Sequence, residues 1–232
     1  MPMARSVADP LRALWRLRAR STTLAEAVYQ TLRAAIRQGH LSEAEPLRES
    51  RLAARLAVSR TPVREALQRL TREGLIGHAH GKGVAVPALD ARDLDEIYEI
   101  RLALESAAAR LAASRVSAGE LHAMRAVLER AEAARDSDPR RLADLSARFA
   151  DLIGEAARNR RLAALIRQHR DSIIRAEGTT LGHPGRAEKA LAEQRALLAA
   201  LAAGDAEAAG RAAHEHLDEA RRLRLQLHFE RA

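Results

Sequence analysis

The stretch Leu52–Ile76, LAARLAVSRTPVREALQRLTREGLI, with Gly81–Val86, GKGVAV, shortly after it, decides the fold. Leu52, Ala53 and Leu56 share one helical face, and Ala57-Val58-Ser59 makes a tight turn after them. Val63, Ala66, Leu67 and Leu70 then recur at helical spacing until Gly74 stops the run. Ser59 or Thr61 can cap this helix, and Pro62 suits its first turn, where a missing N–H costs nothing. From Leu75 to Val86 two short strands flank Gly81-Lys82-Gly83, which predicts a hairpin. Upstream, Leu24, Val28, Leu32 and Ile36 give one more helix, ended by Gly39. Three helices and a hairpin over residues 23–87 predict a winged helix-turn-helix.

On the N-terminal side, residues 1–22 form a basic extension with Arg5, Arg12, Arg16, Arg18 and Arg20. Pro10, Leu11, Leu14 and Trp15 suit a short amphipathic helix there, or the segment is disordered. On the C-terminal side, residues 88–232 are predicted to be all helix, a six- to seven-helix bundle. Asp90, the Ser117–Glu120 capping box, Asp138-Pro139, Asn159 and Gly204-Asp205 punctuate its helices, and 178–185 is a loop. The fold class is therefore mainly α, a winged helix-turn-helix followed by a helical bundle.

Composition agrees. Hydrophobic residues make up 47% of the 232, yet aromatics only 2%, so Leu, Ala, Ile and Val must build the cores. Cys is absent, which excludes disulfides and thiolate chemistry and is compatible with a cytoplasmic protein. No apolar run approaches a membrane span, and the N-terminus lacks a signal-peptide pattern. The formal charge is +8, and residues 1–86 carry fifteen Arg and Lys against seven Asp and Glu. The whole excess sits in that third of the chain, which suits a polyanion such as DNA, or else is a solvated basic face.

A recognition helix presents cationic and short polar side chains from its first turns to base edges and phosphates. Arg60, Thr61 and Arg64 occupy those turns. Arg60 and Arg64 share a face and can donate bidentate bonds to guanine; Thr61 can touch a phosphate or a thymine methyl. Arg48 and Arg51 open the preceding helix, where phosphates are met, or Arg51 pairs with an acid such as Glu49. Lys82 between Gly81 and Gly83 can approach the minor groove or backbone, or the glycines simply make the turn. In the bundle, Arg101, Ser146, Gln194 and His216 fall on otherwise apolar stripes, which suggests a polar cavity with Arg101 as a carboxylate anchor. Alternatively Arg101 pairs with Glu105 and Gln194 with His216. No nucleophile motif or pair of catalytic carboxylates is present, so an enzyme is not expected.

Leu24–Val86 resembles the DNA-binding domain of the GntR family, above all in LAARLAVSRTPVREALQRLTREGLI and GKGVAV. The segments DLDEIYEIRLALESAAARLAA, FADLIGEAARNRRL and ALLAALAAGDAEAAGRAAHEHL resemble the FCD ligand-binding domain of that family's FadR branch. The resemblance implies a homodimer on a short palindromic double-stranded DNA operator, probed by Arg60, Thr61, Arg64, Gly81 and Gly83. It also implies repression relieved or imposed by a small organic acid. Where relatives have SERELA this chain has Arg48-Glu49-Ser50-Arg51-Leu52-Ala53, so the usual Arg place is Ser50 and the half-site is expected to differ. Many FCD domains hold a divalent metal with one Asp and three His. Those places are Ser146, Ala150, Gln194 and His216 here, and even with His169 the set is poor for a metal, so no cofactor is expected. Two rival readings are a bundle that only dimerises and a helical-bundle enzyme with an appended DNA-binding module.

Overall fold

The turn at Ala57–Ser59 sets the geometry of the N-terminal unit. In the computed structural model, residues 9–17, 23–37, 39–41, 46–79, 83–174 and 179–230 are described. They form two compact units, one up to Ala88 and one made of Leu89–Ile173 with the residues from 179 on. The first contains α1 (Pro10–Leu17), α2 (Leu24–Arg37), α3 (Glu49–Leu56) and α4 (Arg60–Arg72). Two strands, β1 (Gly77–Ala79) and β2 (Gly83–Ala85), pair antiparallel with Gly77 opposite Ala85 and Ala79 opposite Gly83. This is the winged helix-turn-helix, and the wing is tied to the segment leading into α3 by the Leu47 N–H, which donates to the Val84 carbonyl at 2.7 Å.

α3 ends at Ala57, whose φ of 55° and ψ of 46° are left-handed, and whose N–H bonds back to the Ala53 and Ala54 carbonyls. An alanine there carries a Cβ penalty that glycine would not. Ala57→Gly is expected to stabilise this unit by about 0.5–1 kcal/mol, the relief of strain outweighing the entropy glycine adds to the unfolded chain. A thermal midpoint a few degrees higher checks it; a lower one would mean that the strain is absent in solution. Ser59 stands at the N-cap of α4, but its hydroxyl makes no capping bond. The reason is local: the third helical residue is Pro62, which has no N–H to offer. Gly74, at φ +70°, takes the chain off the end of α4.

The basic extension supplies α1, which packs into this unit. Leu11 is fully buried, and the Arg55 guanidinium donates twice to Asp9, Nη2 to Oδ1 at 2.7 Å and Nε to Oδ2 at 3.0 Å. That bidentate pair holds the Asp9 carboxyl below its usual range. Arg5, Arg18 and Arg20 lie outside the described residues.

Behind α4, the buried Tyr29 hydroxyl donates to Glu73 Oε2 at 2.7 Å, with the Arg69 guanidinium 3.6 Å from the ring centre. Burial first, and then the bond to Glu73, pushes this hydroxyl from 10.0 up to about 12. A raised value means that the folded state holds the proton more tightly. The contribution is fully present below pH 10 and is lost as pH rises from 10 toward 12. Denaturation midpoints measured across that window should fall less steeply in Tyr29→Phe than in the parent protein.

The second unit is all-α: α5 (Ala91–Ala113), α6 (Ala118–Ala134), α7 (Pro139–Ala156), α8 (Arg160–Ile174), α9 (Arg186–Ala202) and α10 (Ala206–Phe229), with a short 3-10 turn at Thr180–Gly182. Caps decide where its helices start. Asp90 and Ser117 form reciprocal capping boxes with Asp93 and Glu120. Asp138 caps α7 ahead of Pro139, and Asp205 caps α10 through the Ala208 N–H. Phe149, Met124, Leu142, Leu191 and Leu201 are fully or almost fully buried at its centre. α5 and α10 run antiparallel, since Asp95 pairs with Arg221 at 2.6 Å and Arg110 with Glu207 at 3.4 Å.

Candidate DNA-reading face and buried polar groups of the bundle

Amphipathicity alone aims α4. Val63, Ala66, Leu67 and Leu70 go into the core of the first unit, so Arg60, Thr61 and Arg64 are left exposed on the first two turns. Their exposure is what contact with bases requires. The structure adds a residue that the sequence reading assigned to a different pairing. Glu49, at the start of α3, accepts from Arg64 Nε at 3.2 Å and from Arg60 Nη2 at 3.2 Å. One carboxylate therefore braces both recognition arginines. These bonds, Arg64's first among them, hold the Glu49 carboxyl below its usual range. Arg51 is exposed on α3, and Glu49 is engaged by the two α4 arginines. Arg48 is exposed at the N-cap position of the same helix. In the wing, Gly83 is exposed with φ +77°, a conformation that favours glycine. Gly81 and Lys82 lie outside the described residues.

The surface is thus a set of guanidinium groups from two helices, with a wing beside them tied through Leu47. Such a set can neutralise phosphates and donate paired hydrogen bonds to guanine O6 and N7.

In the bundle, Arg101 on α5 is buried and donates through Nε to Glu105 Oε1 at 2.7 Å. The internal pairing considered for Arg101 is therefore the one that forms. His169, on α8, is half-buried; burial first and the Arg101 charge second hold its imidazole below the usual 6.5, a shift that favours the neutral form. Ser146 is half-buried on α7. His216 on α10 does not meet Gln194. Its Nδ1 lies 2.7 Å from Glu193 Oε2, and the same carboxylate oxygen accepts from Arg186 Nη1 at 2.9 Å. Arg186 Nη2 reaches the His216 carbonyl at 3.4 Å. Gln194 is buried, and its Oε1 has no hydrogen-bond partner. Arg186 and Glu193 carried no signal in the sequence. Arg186 follows a glycine at the mouth of a loop, and Glu193 sits next to Gln194 on a helix with many charges.

The residues at the four places expected of a metal do not fit one. Ala150 offers no donor, Ser146 and Gln194 offer weak ones, and His216 and Glu193 together face the Arg186 guanidinium, already a cation. Among the described residues, no group of three or more His, Cys, Asp or Glu is arranged to hold a metal ion. Among them too, no helix is long and apolar enough to cross a membrane.

Comparison with known proteins places both units. Residues 24–86 match the family described as bacterial regulatory proteins, gntR family, and residues 96–219 match the FCD domain. The helix α1 lies ahead of the matched part. The chain is 36% identical over 186 residues to an uncharacterised HTH-type transcriptional regulator of Mycobacterium tuberculosis, covering 73% of this chain and 76% of that protein. It is 32% identical over 147 residues to an uncharacterised HTH-type transcriptional regulator of Bacillus subtilis, covering 62% of this chain and 66% of that one. The chain spans a smaller share of other curated relatives, 41% and 61% of two of them. Among solved structures, E. coli McbR/YncC superposes with a TM-score of 0.78 at 26% identity, covering 89% of this chain and 99% of that one.

Proposed function

From the premise that the chain belongs to the GntR family of bacterial regulatory proteins and carries an FCD domain, we propose that it is a ligand-responsive transcriptional repressor. It binds a palindromic DNA operator as a homodimer, and a small carboxylate metabolite entering the bundle changes its affinity. One observation carries this reading: the exposed Arg60, Thr61 and Arg64 project from the first turns of the helix after the HTH turn, in the part of the chain that holds the entire positive excess. The relatives' names agree, since those compared above are called transcriptional regulators.

Fluorescence anisotropy of the full chain on DNA from its own promoter region tests the first half. Affinity should fall steeply with salt and exceed that for scrambled duplex by about a thousandfold or more. Equal affinity for both duplexes would sink the operator reading. A thermal-shift screen of chelator-treated protein against organic acids and sugar acids tests the second half, because a ligand that binds only the folded state must raise the melting temperature. The Arg101–Glu105 pair favours a second reading, in which the bundle only dimerises, because the anchor is already neutralised. Stabilisation by none of the compounds would support it.

A further inference from the structure

Two buried guanidinium groups of the bundle are each paired with a carboxylate, and this constrains what can enter beside them. The pairs Asp95–Arg221 and Arg110–Glu207 fix the register of α5 against α10 and bring the turn holding Arg101 level with that holding His216. Arg186 joins the same level through its bond to the His216 carbonyl. Two buried guanidinium groups are thus found there, and each already has one carboxylate, that of Glu193 being shared with His216 Nδ1. Arg101 is matched by Glu105 at 2.7 Å and Arg186 by Glu193 at 2.9 Å, the four side chains being at most 15% exposed. A ligand with one net negative charge would leave that charge poorly compensated in a weakly solvated interior, which is unfavourable.

The unmet hydrogen bonds at this part of the bundle are of both kinds. Arg186 Nε–H is a buried donor without an acceptor, Gln194 Oε1 a buried acceptor without a donor, and the Ser106 hydroxyl, one residue beyond Glu105, is also unmatched. All three residues are at least 95% buried, with Arg186 4%, Gln194 3% and Ser106 5% exposed. Each unmet group of this kind is destabilising, and the loss is recovered by any molecule that supplies the missing partner. What satisfies them carries an acceptor for the guanidinium and a donor for the amide oxygen; a carboxylate is the acceptor that suits a guanidinium best, and the existing pairs favour a ligand without net charge.

We propose that the bundle takes a zwitterionic α-amino acid without a metal ion, its carboxylate held by Arg186 and its ammonium by Gln194 Oε1. This rests on the reading that the bundle binds an effector, and it narrows the carboxylate to one bearing an amino group. Arg186 supplies the positive charge that a divalent ion would otherwise bring. Its tie to Glu193 and His216 keeps that guanidinium in place when the ligand leaves.

The test is a thermal-shift and calorimetric series on the chelator-treated full chain. The probes are a panel of L-amino acids, each beside the carboxylic acid lacking its amino group and the amine lacking its carboxylate. At least one L-amino acid should raise the melting temperature, with both partial analogues inert and added zinc or manganese indifferent. Gln194→Leu should weaken that amino acid by about tenfold or more while unfolding near the parent temperature without ligand. Arg186→Lys, which keeps the charge but loses Nε, should do the same and guards against a collapse caused by Arg186→Met. An acid that binds as well as its amino acid would overturn the zwitterion and leave the effector reading standing. So would a neutral polyol binding in place of amino acids. Stabilisation by metal alone would overturn the metal-free site. A series in which nothing binds would defeat the inference and the effector reading together.

Discussion

Arg64→Ala is expected to weaken binding to the operator by about 1–3 kcal/mol per half-site, roughly 5- to 150-fold, the worth of a bidentate guanidinium–guanine contact. If two copies bind a palindrome, the loss is incurred twice. Arg64 is half-exposed on the second turn of α4 and braced by Glu49 at 3.2 Å, so the guanidinium is held in place before DNA arrives. The same measurement separates base reading from phosphate neutralisation. A base contact is lost on the operator and not on scrambled duplex, and the salt slope barely moves. A phosphate contact is lost equally on both, with the slope shallower by about one. Arg64→Ala should show the first pattern and Arg48→Ala the second. Equal losses on both duplexes for Arg64→Ala would remove it from the set of specificity residues.

What could be foreseen from the sequence and what could not divides along chain separation. Asp90, Ser117 and Asp138 announce their helices because a cap acts on N–H groups only two or three residues away. The Arg101–Glu105 pair is one helical turn long, so it too could be named as an alternative. Glu49 was different. Its partners lie eleven and fifteen residues on, across a turn that runs through the left-handed Ala57. Asp9 and Arg55 are forty-six residues apart, so the docking of α1 was equally hidden. The pairing of His216 with Glu193 instead of Gln194 turns on about 100° of rotation along α9, finer than a pattern of apolar stripes resolves.

The second large effect concerns the Arg101–Glu105 pair, on which the proposed ligand class rests. Glu105→Leu is expected to destabilise the bundle by about 3–5 kcal/mol, because Arg101 would remain buried with its charge unmatched. Arg101 and Glu105 have side chains only 10% and 13% exposed, so solvent can do little to screen that charge. For a chain of this length the cost corresponds to a fall of roughly 6–20 °C in the bundle's thermal midpoint. The double variant Arg101→Met with Glu105→Leu should recover to within about 1 kcal/mol of the parent or exceed it, since two desolvated charges are replaced by apolar groups of similar size. That recovery, read from thermal melts, would show that the pair is not kept for stability, and effector titrations on the same two variants would then separate a role in ligand recognition from a role in dimerisation alone. Should Glu105→Leu lose less than about 1 kcal/mol, Arg101 must reach water or another anion, and the balance of charge from which the ligand class was inferred would no longer hold.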